Sequence, residues 1–237
     1  KLTIIQSKYY KVGDLYVVNG EPLGLVYEIS DGGAHGKVVA LKAHRDLNLW
    51  YRTGLPYDEI HPEDPNNVGV IARSETDGQE NMKAYKQIPD WKTHYPVAAY
   101  VSDLNDENGN PGWYLPAIKE VQAMVGWIDG EVLSPDGEAG QEPSEAMKEK
   151  RKAINQLIVD NGGNEFYFYG YDVSFIIDQT NAWEADYFNR IYTSTETDYQ
   201  VHPMVFKFYL RNGWWETMHV YGDLAGSYGE VRPFLAF

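Results

Sequence analysis

Oxygen-bearing side chains recur at Asp103, Asn105 and Glu107 within DLNDENGNPG, residues 103–112, a spacing that raises the question of a calcium loop. A helix–loop–helix calcium site needs Gly at its sixth place for the sharp turn and a bidentate Glu at its twelfth. Those places hold Asn108 and Tyr114, so the segment reads as a polar turn. Asp58, Glu59, Glu63 and Asp64 crowd a second acidic stretch, but their spacing fits no ion-binding loop and a solvated loop is the reading. The His residues, at 35, 44, 61, 94, 202 and 219, are too scattered for a metal set, and His35 reads as a solvated turn residue. HExxH, GxSxG, a phosphate-binding Gly loop and a Cys–His pair are all missing. Acids are plentiful enough that a glycoside hydrolase using two loop carboxylates stays open as a remote alternative, though no pair is singled out. No catalytic and no metal-binding residue is assigned, no cofactor is expected, and calcium is left open without a motif behind it.

What remains is stacking chemistry. Trp183, Tyr187 and Phe188 lie close together beside Asp186 and Asn189, and Trp214 and Trp215 stand beside Glu216. Side chains alternate across a strand, so the two neighbouring indoles point to opposite faces and one of them is expected to reach solvent. Flat aromatic faces flanked by acids and amides are the arrangement that sugar rings use. The competing reading is that these aromatics simply pack an enlarged loop.

Composition narrows the classes. The 237 residues are 43% apolar, enough for a normal core, and the 14% aromatic share (19 Tyr, 7 Trp, 8 Phe) leans toward β-structure. A formal charge of -15 with no offsetting basic run disfavours nucleic acid and anionic membrane as partners. Lys148, Lys150, Arg151 and Lys152 form the one basic cluster, read as the outer face of a helix. Cys is absent, which removes disulfides and thiolate chemistry without fixing the compartment. No apolar run approaches the ~20 residues that span a bilayer, and KLTIIQSKYY resembles neither a signal peptide nor an anchor. Membrane attachment is expected only through an anchor outside this chain.

The elements that must position these residues follow from periodicity. Strands over 12–18, 23–29 and 37–41 form a meander, because Asn19-Gly20 and Asp31-Gly32-Gly33 supply the positive φ of tight turns. A short helix is expected over 81–88, and 95–104, readable as strand or helix, is taken as a helix. GWYLPAIKEV, residues 112–121, joins a turn to a helix start: Gly112 frees the backbone, Trp113, Tyr114 and Leu115 form an apolar plug, and Pro116 suits a first helical turn. Ile118, Val121 and Val125 carry that helix to about residue 127. Ser144 caps another, whose buried side holds Met147, Ile154, Leu157 and Ile158 until Asn161-Gly162-Gly163 stops it. Alternation over 205–210 and a turn at Arg211-Asn212-Gly213 predict a hairpin with 214–220. Pro233 confines the last strand to an edge or a strand end.

GWYLPAIKEV, RIYTSTETD and EVRPFLAF, in that order, resemble the "GWYLPS…E", "YWSSTE" and "VRAVRAF" signatures of bacterial C-type-lectin-like modules of the Lcl C-terminal-domain type. Residues 24–41, 74–91 and 95–105 also resemble surface proteins of gut-dwelling Bacteroidetes, so the likeness covers nearly the whole chain. It implies an α+β domain over residues 1–237 with a C-type-lectin-like fold. Two helices would pack on a twisted antiparallel sheet, the N- and C-terminal strands would pair, and long loops would carry binding. The chain departs from the family in insertions at about 128–143 and 164–189. By the resemblance, Trp113 and Leu115 are core plugs, and Ser194 and Thr195 satisfy backbone groups in a bend. Arg232 needs a carboxylate, with Glu120 and Glu196 as the candidates. The calcium–sugar triplet of true C-type lectins is missed at both 87–90 and 141–144, and its second element is missed at 214–217. Sulfatase-activating relatives of this fold that oxidise through Cys are excluded by composition. The implied function is a non-catalytic binding or adhesion module, exported to the cell surface or periplasm as in surface lipoproteins. Its partner would be a glycan or protein, met through Trp183, Asp186, Tyr187, Phe188, Trp214, Trp215 and Glu216. The alternative is a structural subunit of a surface protein assembly.

Overall fold

The computed structural model describes residues 9–44, 72–107, 111–129, 144–166, 190–196, 203–209, 214–219 and 230–237. The tight turns expected near the start are formed. Strand β1 (Leu15–Val18) turns through Asn19 (φ 51) and Gly20 (φ 87) into β2 (Glu21–Ser30), with Val18 opposite Glu21. Positive φ at both central residues is what a two-residue hairpin turn requires. A 3-10 turn, Asp31–Gly33, leads into β3 (His35–Ala40). A Cβ at Gly33 would lie 2.1 Å from the Tyr10 carbonyl oxygen, so only glycine fits there.

The last strand, β7 (Phe234–Ala236), pairs antiparallel with β3, giving the order β1-β2-β3-β7. This corrects the expected pairing of first with last strand: among the described strands, β1 and β7 occupy opposite edges. Two tight turns place the first three strands side by side, which leaves a closing strand only the outer edges of β1 and β3. Tyr10 and Tyr16 still meet the last residue through their rings, since Phe237 lies 5.0 Å from Tyr10 and 5.2 Å from Tyr16, centroid to centroid. Pro233 precedes β7, where its missing N–H costs nothing, and its carbonyl accepts from Ala40 N at 2.9 Å.

Five helices are found among the described residues, where periodicity placed four and the resemblance implied two packed on the sheet: α1 (Gly78–Tyr85), α2 (Trp91–His94), α3 (Pro96–Glu107), α4 (Ile118–Asp129) and α5 (Glu145–Asp160). The ambiguous 95–104 segment is thus helical, entered at Pro96. Helix α4 buries Ile118, Val121, Met124, Val125 and Ile128, each side chain of this size stabilising by about 1.5–3 kcal/mol when removed from water. It touches α5, β2, β4 (Arg190–Glu196) and β5 (Pro203–Tyr209). With β6 (Trp214–His219), these form a second antiparallel sheet, ordered β4-β5-β6. Leu25 and Val26 are adjacent and both buried, so the first sheet is covered on both faces at its middle. The architecture is α+β.

Two expected boundaries move. Ile128, fully buried, belongs to α4 and not to an insertion starting at 128. The excursion expected from 164 begins inside the core, because Phe166 is buried and exchanges two hydrogen bonds with the Asn155 carboxamide, at 2.8 and 2.9 Å. Residues 130–143 and 167–189 lie outside the described residues.

Candidate binding surface

The 112–117 turn is held from behind by Asn105, near the end of α3. Its Oδ1 accepts from Gly112 N (3.1 Å) and Trp113 N (2.7 Å), and its Nδ2 donates to the Trp113 carbonyl (2.8 Å). The carboxamide that looked like a calcium ligand is therefore a latch, and Asp103 forms an ion pair with Lys92. Among the described residues, no three His, Asp or Glu side chains are grouped to hold a metal ion. Gly112 takes φ 94, and Trp113, Leu115 and Pro116 are buried, Leu115 completely.

Glu120 is the hub of this region. One carboxylate oxygen accepts from Lys37 Nζ (2.9 Å) and the Tyr114 hydroxyl (2.8 Å), the other from Gly78 N (3.0 Å) and Ala117 N (2.9 Å). Four donors around one buried carboxylate tie β3, α1 and the start of α4 to the turn. Burial, and then the Glu120 charge, hold the Tyr114 phenol well above its ordinary range.

Ser194 and Thr195 sit on β4 with no solvent contact to speak of, at 0% and 1% exposure. The Ser194 hydroxyl donates to the Pro116 carbonyl (3.2 Å) and accepts from Asn81 Nδ2 (3.0 Å), while its carbonyl accepts from the Tyr85 hydroxyl (2.6 Å). The Thr195 hydroxyl accepts from Ile118 N (3.0 Å) and donates to the Ser74 carbonyl (2.9 Å). These side chains stitch β4 to α1 and to the α4 N-terminus.

Arg232 finds a different carboxylate from the two expected. Its Nε meets Glu230 Oε1 at 2.5 Å, whereas Glu120 is consumed as above and Glu196 Oε2 accepts from Ala72 N (3.0 Å). Residues two apart on an extended chain share a side, so Glu230-x-Arg232 is itself a local signal for this pair. The remaining guanidinium nitrogens donate to the carbonyls of Ala40 and Leu41 (3.1 Å each), Asn164 (2.7 Å) and Glu165 (3.3 Å), over the Phe166 ring.

The basic cluster on α5 also resolves differently. Arg151 is 1% exposed and faces inward, as its spacing from Met147 and Ile154 allows. Lys148 pairs with Glu145 at 2.7 Å, and Lys150 bonds the Trp127 carbonyl and lies 5.7 Å from that ring's centre. Arg151 is thus withdrawn from the basic outer face expected of this helix.

Of the residues expected to bind a ligand, Trp183, Asp186, Tyr187 and Phe188 lie outside the described residues. Trp214, Trp215 and Glu216 are brought together at the start of β6, opposite Tyr209, Phe208 and Lys207 of β5. Among the described strands, β6 pairs with β5 alone and so ends its sheet. No helix among the described residues is long and apolar enough to cross a membrane. The chain matches no protein-family model, no curated protein and no solved structure.

Proposed function

We propose that this chain is a non-catalytic binding or adhesion module of the C-type-lectin-like kind, displayed at a bacterial cell surface. Its ligand is a glycan, met by aromatic side chains of the β5–β6 hairpin and of residues 183–188. The observation that carries this reading is the division of labour among polar residues. Glu120, Ser194, Thr195 and Arg232 are all used in intramolecular bonds, which leaves them to hold the scaffold. This reading gives the binding to Trp214, Trp215 and Glu216, which share one strand at the end of its sheet among the described strands. A planar indole offers a large apolar face at little cost in side-chain entropy, and a neighbouring carboxylate accepts sugar hydroxyls.

The test is a glycan array probed with the intact chain, with and without added calcium. A defined family of sugars bound equally in both conditions is the expected result. An array that stays blank at high micromolar protein removes the sugar reading. Capture of a surface protein with a blank array would instead favour a structural subunit.

A further inference from the structure

Two Asn-Gly pairs fall within the described residues, and their surroundings differ in the atoms that matter for one reaction. Asn19-Gly20 forms the exposed β1–β2 turn. That turn closes between Val18 and Glu21, so the ladder bonds belong to those two residues and the Gly20 N–H stands outside them. Gly20 is exposed, and a Cβ there would meet nothing within 4 Å, so the space beside its α-carbon is open to solvent and base. Asn161-Gly162 ends α5 with both reacting groups engaged. There the Asn161 Nδ2 donates to the Leu157 carbonyl at 2.8 Å, and the Gly162 nitrogen donates to the Val159 carbonyl at 2.9 Å.

We propose that Asn19 is a site of spontaneous deamidation and isomerisation, and that Asn161 is protected from the same chemistry. The Gly20 nitrogen gives up its proton to base and attacks Asn19 Cγ. The Cγ–Nδ2 bond breaks and ammonia leaves with a proton, closing a five-membered succinimide. Water then adds to one of the two ring carbonyls. Opening at Cγ yields aspartate, and opening at the main-chain carbonyl yields isoaspartate; in sum one water enters and one ammonia departs. Either product adds a negative charge beside Glu21. The isoaspartyl product also lengthens the main chain inside a two-residue turn, so Val18 and Glu21 can no longer stand opposite each other and the β1 edge loosens.

The experiment ages the intact folded chain in warm, mildly alkaline buffer and maps its peptides by mass, with isoaspartate detected by methyltransferase labelling. The expected result is conversion at Asn19 at least about tenfold faster than at Asn161, a gap that closes when the same chain is aged in denaturant. Asn19 intact in the folded chain, or Asn161 converting at an equal rate there, would overturn the proposal.

Discussion

The interior behind the 112–117 turn and the β5–β6 hairpin differ in which residues they hold and in their place in the fold. In the first, side chains that look chemical, a carboxylate, hydroxyls and a guanidinium, are buried, and each meets several partners. Glu120 alone collects four donors, and Arg232 reaches four carbonyls and a carboxylate. In the second, two Trp and a Glu follow one another on a strand that ends its sheet. The difference teaches that a motif rich in polar residues can be wholly architectural. Low dielectric makes each such bond stronger and each missing partner costlier, so a filled network specifies one arrangement and resists change. Function is then sought where the network stops.

Substitutions can break this contrast, beginning with the largest effect. Arg232→Met takes the charge partner at 2.5 Å away from the buried Glu230 carboxylate and is expected to cost about 3–5 kcal/mol. Urea unfolding measures it, and adding Glu230→Gln should recover part of the loss. A cost near zero for the single variant would show that the pair is dispensable. Trp113→Ala opens a cavity in the core at roughly 3 kcal/mol, the low end for a Trp because a small part of the ring is exposed. Asn105→Ala orphans two N–H groups and a carbonyl at the turn, about 1–3 kcal/mol by the same assay. All three variants should bind ligand normally once corrected for the folded fraction.

Alkaline titration sharpens the same contrast. Tyr27, Tyr85 and Tyr114 are each raised above the ordinary value of 10.0, chiefly by burial. Above that pH the unfolded chain releases phenolic protons that the native chain keeps, so the folded state binds more protons and stability falls as pH rises. The stability contributed is fully present below about pH 10 and is lost progressively above it. Tyr114→Phe should flatten part of that decline, and an unchanged slope would contradict the burial of the phenol. Trp214→Ala and Trp215→Ala are expected to have the smallest effect on stability, about 1 kcal/mol or less, while removing most of the binding.

Much of the fold was legible because turn chemistry and periodicity are local signals. Asn19-Gly20, Ser144 and the alternation over 205–210 each announced an element that is present. Long-range choices were not legible: which edge β7 joins depends on the outer edges that the meander leaves, and no short window records that. Arg232 pairs with Glu230, two residues away, and not with Glu120 or Glu196 of the other motifs, because an extended chain puts residues two apart on one side. Arg151 carries the charge of an outer-face residue, but its helical position, four from Met147 and three from Ile154, places it inside. Trp214, Trp215 and Glu216 were named by side-chain type, and the pairing register adds that they share one strand facing Tyr209, Phe208 and Lys207.

The most direct measurement sets the hairpin against the interior on the same glycan array, comparing the parent with Trp214→Ala/Trp215→Ala and with Ser194→Ala. The account predicts that the hairpin variant melts close to the parent and loses its array signal, while Ser194→Ala melts lower and keeps its signal in the folded fraction. A hairpin variant that binds like the parent, or a Ser194→Ala protein that folds fully and no longer binds, would contradict it.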